Sequence, residues 1–125
     1  MDQPAQLADW IGRSHTATEV QSPSAVARRA ATIGRDAPAL VAGDAAPPLT
    51  HWLHFVPAAQ PGEIGPDGHP ARGGFLPPVH HLPRRMWAGS RLIFQGEMLL
   101  GETAVQRSTI TAVRERDGRK GPLVF

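Results

Sequence analysis

The sequence contains no cysteine. That removes disulfides, thiolate metal ligands and cysteine nucleophiles, and leaves the compartment open. No apolar run approaches the roughly 20 residues a membrane-spanning helix needs. Residues 1–13 carry Asp2 and Asp9 and have no apolar stretch, so a secretory signal is not expected there. The expectation is a soluble, cytoplasmic protein with no membrane partner. Charge of one sign is also scarce, since 13 basic residues stand against 11 acidic ones and Lys120 is the single lysine. A nucleic-acid module needs a clustered basic face, and here acidic residues are interspersed, so no nucleic-acid partner is expected. A length of 125 residues fits one domain with a core of its own and excludes two complete ones.

Turning to what is present, residues 4–11 include Leu7, Trp10 and Ile11, which fit one face of a brief helix. A clearer helix follows, with Ser22 as N-cap, Pro23 at the first helical position, Val26, Ala30 and Ile33 on one face, and Gly34 as the stop. Arg28 and Arg29 fall on its other face and read as solvated. Residues 57–83 are dense in proline and glycine and lack a periodic apolar pattern. A connector that long inside a small domain is uncommon. Its apolar anchors, Ile64, Phe75, Leu76 and Val79, predict an ordered loop over a pocket or interface.

Period two takes over at residues 86–94. Trp87, Gly89, Arg91 and Ile93 would share one face of a strand, with Ala88, Ser90, Leu92 and Phe94 on the other. Leu100-Gly101-Glu102 marks a turn, and residues 103–116 alternate again, with Val105, Thr109 and Val113 among the β-branched members. Asp117-Gly118 signals a tight hairpin, and residues 122–125 begin the returning strand. Helices first and an antiparallel meander second make an α+β chain. Leu123, Val124 and Phe125 form an apolar strand start with no polar tail behind them, which leads us to expect a truncated domain.

Candidate chemistry is thin. His51, His54, His69, His80 and His81 fall close together, but metal sites need facing ligands, usually completed by a carboxylate or thiolate. No acidic residue stands near His51 and His54, and the adjacent His80 and His81 diverge in an extended chain. No metal and no cofactor are expected. Ser14, Ser90 and Ser108 lack an elbow motif, and Arg72-Gly73-Gly74-Phe75 does not follow a strand and open a helix, so neither a nucleophile nor a phosphate loop is supported. Pro83-Arg84-Arg85-Met86-Trp87 is the stretch with a binding chemistry, because two guanidinium groups and an indole at a loop mouth suit a phosphate and a purine ring.

With these segments placed, the chain resembles the N-terminal half of the MaoC-like, type 2 hydroxyacyl-thioester dehydratase group, in its 3-methylfumaryl-CoA hydratase branch. The likeness runs nearly end to end and rests on order and spacing. It is carried by Trp10-Ile11-Gly12-Arg13, the helix from Ser22 to Gly34, Pro47-Pro48-Leu49 before His51-Trp52-Leu53, and Gly65-Pro66-Asp67-Gly68-His69-Pro70. Arg72-Gly73-Gly74-Phe75-Leu76-Pro77-Pro78, Leu82-Pro83-Arg84-Arg85-Met86-Trp87-Ala88-Gly89, Gly101-Glu102 and Asp117-Gly118-Arg119 continue it.

The resemblance implies a hotdog fold, an antiparallel sheet wrapped around a central helix, incomplete at the C-terminus, with the catalytic C-terminal hotdog absent. It implies a hydro-lyase acting on enoyl- or 3-hydroxyacyl-CoA thioesters, working as a dimer or higher homo-oligomer beside a second hotdog domain in the same chain or a separate subunit. Catalytic units of this group carry G-D-x-N-P-x-H, whose acid and base must reach one water. Here the corresponding stretch reads Gly34-Arg35-Asp36-Ala37-Pro38-Ala39-Leu40, with alanine in place of Asn and leucine in place of His. No catalytic residue is therefore assigned. The expected substrate-binding residues are Arg84, Arg85, Trp87 and His81, in a domain spanning residues 1–125 that shapes the pocket and an interface. The alternative is a stand-alone, non-catalytic subunit of a heterodimeric dehydratase.

Overall fold

A computed structural model describes residues 6–36 and 39–125. The chain forms two compact units: one comprises Met1–His15, Pro57–Gly89 and Arg107–Phe125, the other Thr16–Val56 and Ser90–Gln106. Both strand pairs and the single α-helix found among the described residues make this an α+β chain. None of the described helices is long and apolar enough to cross a membrane.

In the unit of Thr16–Val56 and Ser90–Gln106, the helix α1 spans Pro23–Thr32. Pro23 occupies a first-turn position where its missing N–H costs nothing, and Val26 and Ala30 are buried as their spacing predicts. Ile33 is not buried; it caps the helix in the open, and Gly34 follows at φ +69°. Ser22 precedes the helix with extended backbone, yet its hydroxyl meets Ser24 Oγ at 2.7 Å and caps no backbone N–H.

The anchor of α1 is a histidine. The Ser22 N–H donates to His54 Nε2 at 3.0 Å, and His54 Nδ1 lies 3.0 Å from the Thr50 carbonyl. A backbone N–H can only donate, so Nε2 accepts, Nδ1 carries the proton, and the ring is neutral. His54 is only 6% exposed and sits at the C-terminal end of a 3₁₀ turn, Thr50–Leu53. Arg29 donates to the Pro48 carbonyl at 3.1 Å, so one of the two arginines read as solvated ties α1 to the preceding loop. The most deeply buried apolar side chain, Leu100, is held by Leu100 N–H to Asp44 (2.9 Å) and by Gly43 N–H to the Leu100 carbonyl (2.8 Å). Gly101 turns the chain at φ +86°, and a Cβ there would lie 2.8 Å from Ala42 Cβ.

Strands β1 (Ser14–Val20) and β2 (Thr103–Thr109) pair with each other. Their flanks run antiparallel, with Gly12 N–H on Ile110 at one end and Gln21 N–H on Glu102 at the other. In the unit that contains the termini, a 3₁₀ turn at Leu7–Trp10 buries Trp10, over whose ring the Arg13 guanidinium stacks at 3.6 Å. This turn is what exists of the helix expected over residues 4–11; residues 4 and 5 lie outside the described residues. Strands β3 (Glu115–Gly118) and β4 (Gly121–Val124) form an antiparallel hairpin, extended by reciprocal bonds of 2.8 Å between Arg114 and Phe125.

Three sequence expectations need correction. Residues 86–94 form no strand, because the alternation supplies suitable faces but no strand among the described residues supplies a ladder. Residues 103–116 are two strands, with buried Ile110 at the break. The hairpin turn is Arg119-Lys120, two residues beyond Asp117-Gly118, because Gly121 takes the left-handed position at φ +122°. Gly118 closes the ladder opposite Gly121, where a Cβ would come within 2.9 Å of Leu123 Cδ1. Strand β1 has no counterpart in the sequence reading; the alternating β-branched Thr16, Thr18 and Val20 are its signal.

Replacing His54 by alanine removes the acceptor of the part-buried Ser22 N–H and the ring contact to the Thr50 carbonyl. A loss of about 1–3 kcal/mol is expected, chiefly from the unpaired Ser22 N–H. Urea unfolding measures it, and an unchanged midpoint would mean that the Ser22 N–H finds another partner.

Candidate functional site

The Pro-rich loop is ordered by donors borrowed from side chains. Proline lacks an N–H, so a chain rich in it offers carbonyls without matching donors. The first turn, Pro61–Glu63, closes with Glu63 N–H on Gln60 and Gln60 N–H on the Glu63 carboxylate at 2.9 Å. A tighter turn follows, with Ile64 bridged to Pro70 and Gly65 N–H on His69 at 2.7 Å. Inside it Asp67 Oδ1 accepts the His69 N–H at 3.1 Å, and Gly68 sits at φ +79°. Further on, one Arg72 nitrogen donates to the carbonyls of Val79, at 2.7 Å, and Leu82. Sequence reasoning assigned Arg72 no such role.

This loop walls a cavity of about 640 Å³ within the same unit. Its lining is largely apolar, from Phe75, Leu76 and Val79 on the loop to Ile110, Val113 and Phe125. The loop therefore covers a pocket lined by three of the expected anchors, Phe75, Leu76 and Val79, while Ile64 lies outside the lining and bridges Pro70. Arg84, Arg85 and Met86 also line it, whereas Trp87 and His81 do not. Trp87 is 77% exposed, and His81 is exposed in a turn with His80.

The two arginines differ in their bonding. Arg85 Nε lies 3.2 Å from Asp67 Oδ2, and its Nη2 donates to the Pro70 carbonyl at 2.7 Å. Arg84 makes no hydrogen bond or ion pair among the described residues. One guanidinium is thus fixed by the preceding turn, and the other is available at the rim. The Asp67 carboxyl is held below its ordinary range, chiefly by the His69 N–H, which outweighs an opposing desolvation effect, with a lesser contribution from the Arg85 charge.

No set of His, Asp and Glu side chains among the described residues is arranged to hold a metal. His54, one of the clustered histidines, spends both ring nitrogens on the backbone. His15 packs its ring 6.1 Å from Phe75. Asp36 is exposed, while Ala37 and Pro38 of the motif-like stretch lie outside the described residues.

An apolar recess of this size with cationic groups on its rim is the geometry of a pocket for an amphipathic anion. Comparison with known proteins narrows that class. The model of the hydroxyacyl-thioester dehydratase type 2 family matches residues 49–124, and the chain belongs to that family. The chain is 38% identical over 116 residues to the mesaconyl-C(4)-CoA hydratase of Chloroflexus aurantiacus. That alignment covers 93% of this chain and 41% of the relative, so the chain spans less than half the relative's length.

The lowered Asp67 pKa fixes the sign of a pH effect. Its ionised form favours the folded turn above the ordinary carboxylate value of 3.8, and this is lost as pH falls through the lowered value. Following the His69 amide by NMR should give a titration midpoint below 3.8 that disappears in Asp67→Asn. A midpoint at or above 3.8 would contradict the Asp67–His69 bond.

Proposed function

We propose that this chain is the non-catalytic hotdog half of a hydro-lyase that adds or removes water across an enoyl- or 3-hydroxyacyl-CoA thioester. The observation that carries this reading is the 640 Å³ apolar cavity with Arg84 unengaged at its rim. A CoA thioester has an apolar or weakly polar acyl arm and a multiply phosphorylated head, and the two halves match an apolar recess and a guanidinium. The relative's name, a hydratase of mesaconyl-C(4)-CoA, supports the thioester class and an unsaturated acyl group.

Catalysis is assigned elsewhere. Hydration requires a general base and acid sharing one water, and the stretch 34–40 offers one carboxylate, Asp36, with alanine and leucine where the group carries Asn and His. The reacting pair belongs to a second hotdog domain beside this one, in the same polypeptide or a partner subunit, and the working assembly is a homo-oligomer of such pairs. Within the substrate site, Arg84 contacts the phosphates and Arg85 is a positioning residue fixed through Asp67. Trp87 and His81 belong to the CoA-facing approach outside the cavity lining.

CoA phosphates do not change charge during hydration, so a guanidinium that binds them stabilises ground and transition states equally. In the enzyme complete with its catalytic domain, Arg84→Ala should raise KM with kcat nearly unchanged. The expected loss is about 1–3 kcal/mol, toward the low end because the rim is wet. Arg85→Ala should raise KM and also loosen the 65–70 turn. Purified alone, the chain should show no hydration of an enoyl-CoA. Turnover by it that vanished in Asp36→Ala would overturn the non-catalytic reading, and an unchanged KM in Arg84→Ala would remove Arg84 from the site.

A further inference from the structure

Residues 73–78 form an arc with almost no bonding of its own. Among the described residues its only backbone hydrogen bond is at the Pro77 carbonyl, which accepts the Val79 N–H at 2.9 Å. Gly73, Gly74, Phe75 and Leu76 spend no N–H there, and Pro77 and Pro78 have none. Gly73 starts the arc at φ +105°, a conformation that other residues rarely adopt. What joins the two ends is a side chain. Arg72, the residue before the arc, donates through Nη1 to the carbonyl of Val79, the residue after it, at 2.7 Å, and to that of Leu82. The Val79 carbonyl also accepts the Leu82 N–H at 3.0 Å, so residues 79–82 are a turn with His80 and His81 at its tip. A guanidinium Nη carries two N–H groups, and the two carbonyls use both. The arc places Phe75, Leu76 and Pro77 in the lining of the cavity, beside Arg72, Val79 and Leu82.

We propose that Arg72 is a positioning residue that sets the selectivity of the cavity for acyl length: it closes the neck of the arc and so fixes where Phe75 and Leu76 meet a ligand's apolar chain. The identity of that chain rests on the thioester reading, whereas the position of the wall rests on the clasp alone. Arginine suits the position because each carbonyl gains a charge-assisted bond and one rigid group reaches both. The bonds are part-buried, which limits competition from water. Without the clasp, the arc keeps a single backbone bond. An apolar chain binds best to a wall already in place, because a wall that the ligand must order subtracts from affinity. That loss falls on acyl chains long enough to touch the arc and spares short ones. Arg84 divides substrates differently, since the CoA phosphates assigned to it are common to every chain length.

The fluorescent probe cis-parinaric acid, an amphipathic anion with an apolar tail, reads the cavity of this chain without any hydratase chemistry. Arg72→Met keeps an apolar stem and removes the donors. It should bind the probe about 10-fold more weakly under conditions where its far-UV circular dichroism is that of the wild type. Arg72→Lys keeps the charge and three N–H donors, and should recover affinity to within about 3-fold of the wild type. The NMR resonances of the Val79 and Leu82 carbonyl carbons should move in Arg72→Met and stay close to the wild type in Arg72→Lys, which separates the clasp from a general loss of stability. Arg72→Gln, shorter and uncharged, serves the same comparison if the methionine variant does not fold. In the enzyme complete with its catalytic domain, Arg72→Met should raise KM for decenoyl-CoA about 10-fold more than KM for crotonyl-CoA, with kcat for crotonyl-CoA nearly unchanged. Arg84→Ala should raise both KM values alike. Unchanged probe affinity in Arg72→Met with displaced carbonyl resonances would overturn the proposal, as would equal increases in KM for the two thioesters. An enzyme that hydrates neither thioester would sink the hydratase reading alone, and the probe measurements would then decide the role of Arg72.

Discussion

The candidate pocket depends on one guanidinium. Arg72 reaches the carbonyls of Val79 and Leu82, and without those bonds nothing in the loop's own backbone closes that stretch around the cavity, apart from the Val79 N–H on Pro77 and the Leu82 N–H on Val79. The constraint behind it is the proline content. Each proline removes a donor and keeps an acceptor, so carbonyls outnumber N–H groups along the loop. The same remedy recurs through the molecule: Arg29 donates to Pro48, Thr50 Oγ to Pro47, and Arg85 to Pro70. Arginine suits this use because its planar fork carries five donors and stays charged at any accessible pH.

That arrangement separates two arginines that stand side by side in sequence. Both line the cavity, yet Arg85 already serves a carboxylate and a carbonyl, whereas Arg84 has no partner among the described residues. An engaged guanidinium must give up existing bonds before it binds a phosphate, so its share of ligand affinity is the smaller. Arg85 and Asp67 are instead tied to each other and to the 65–70 turn. A pocket needs both kinds of group, one to meet the ligand and one to fix where the meeting occurs.

How much was legible in the sequence follows from how local each feature is. Helix α1 could be read because its signals, Pro23, the Val26–Ala30 spacing and Gly34, all lie within it. The loop's apolar anchors were equally local. The partition between Arg84 and Arg85 was not legible, because it depends on Asp67 being folded back by its own turn. Nor was the clasp of Arg72, nor the use of His54 as a neutral bridge between Ser22 and Thr50. The hairpin was legible but its turn was displaced, since the ladder runs past Asp117 to a pair formed by Gly118 and Gly121, where a Cβ on Gly118 would meet Leu123.

Residues 86–94 show the limit most sharply. Period-two alternation says which side chains would share a face, but a strand is a relation between two segments, and one segment cannot declare its partner. Its apolar residues, Leu92, Ile93 and Phe94, are bounded by Arg91 and Glu97, and all five are exposed. No residue of 90–97 lines the cavity, and the two lie in different compact units. The cavity and this segment thus draw on separate sets of side chains, so substitutions in one leave the residues of the other unchanged.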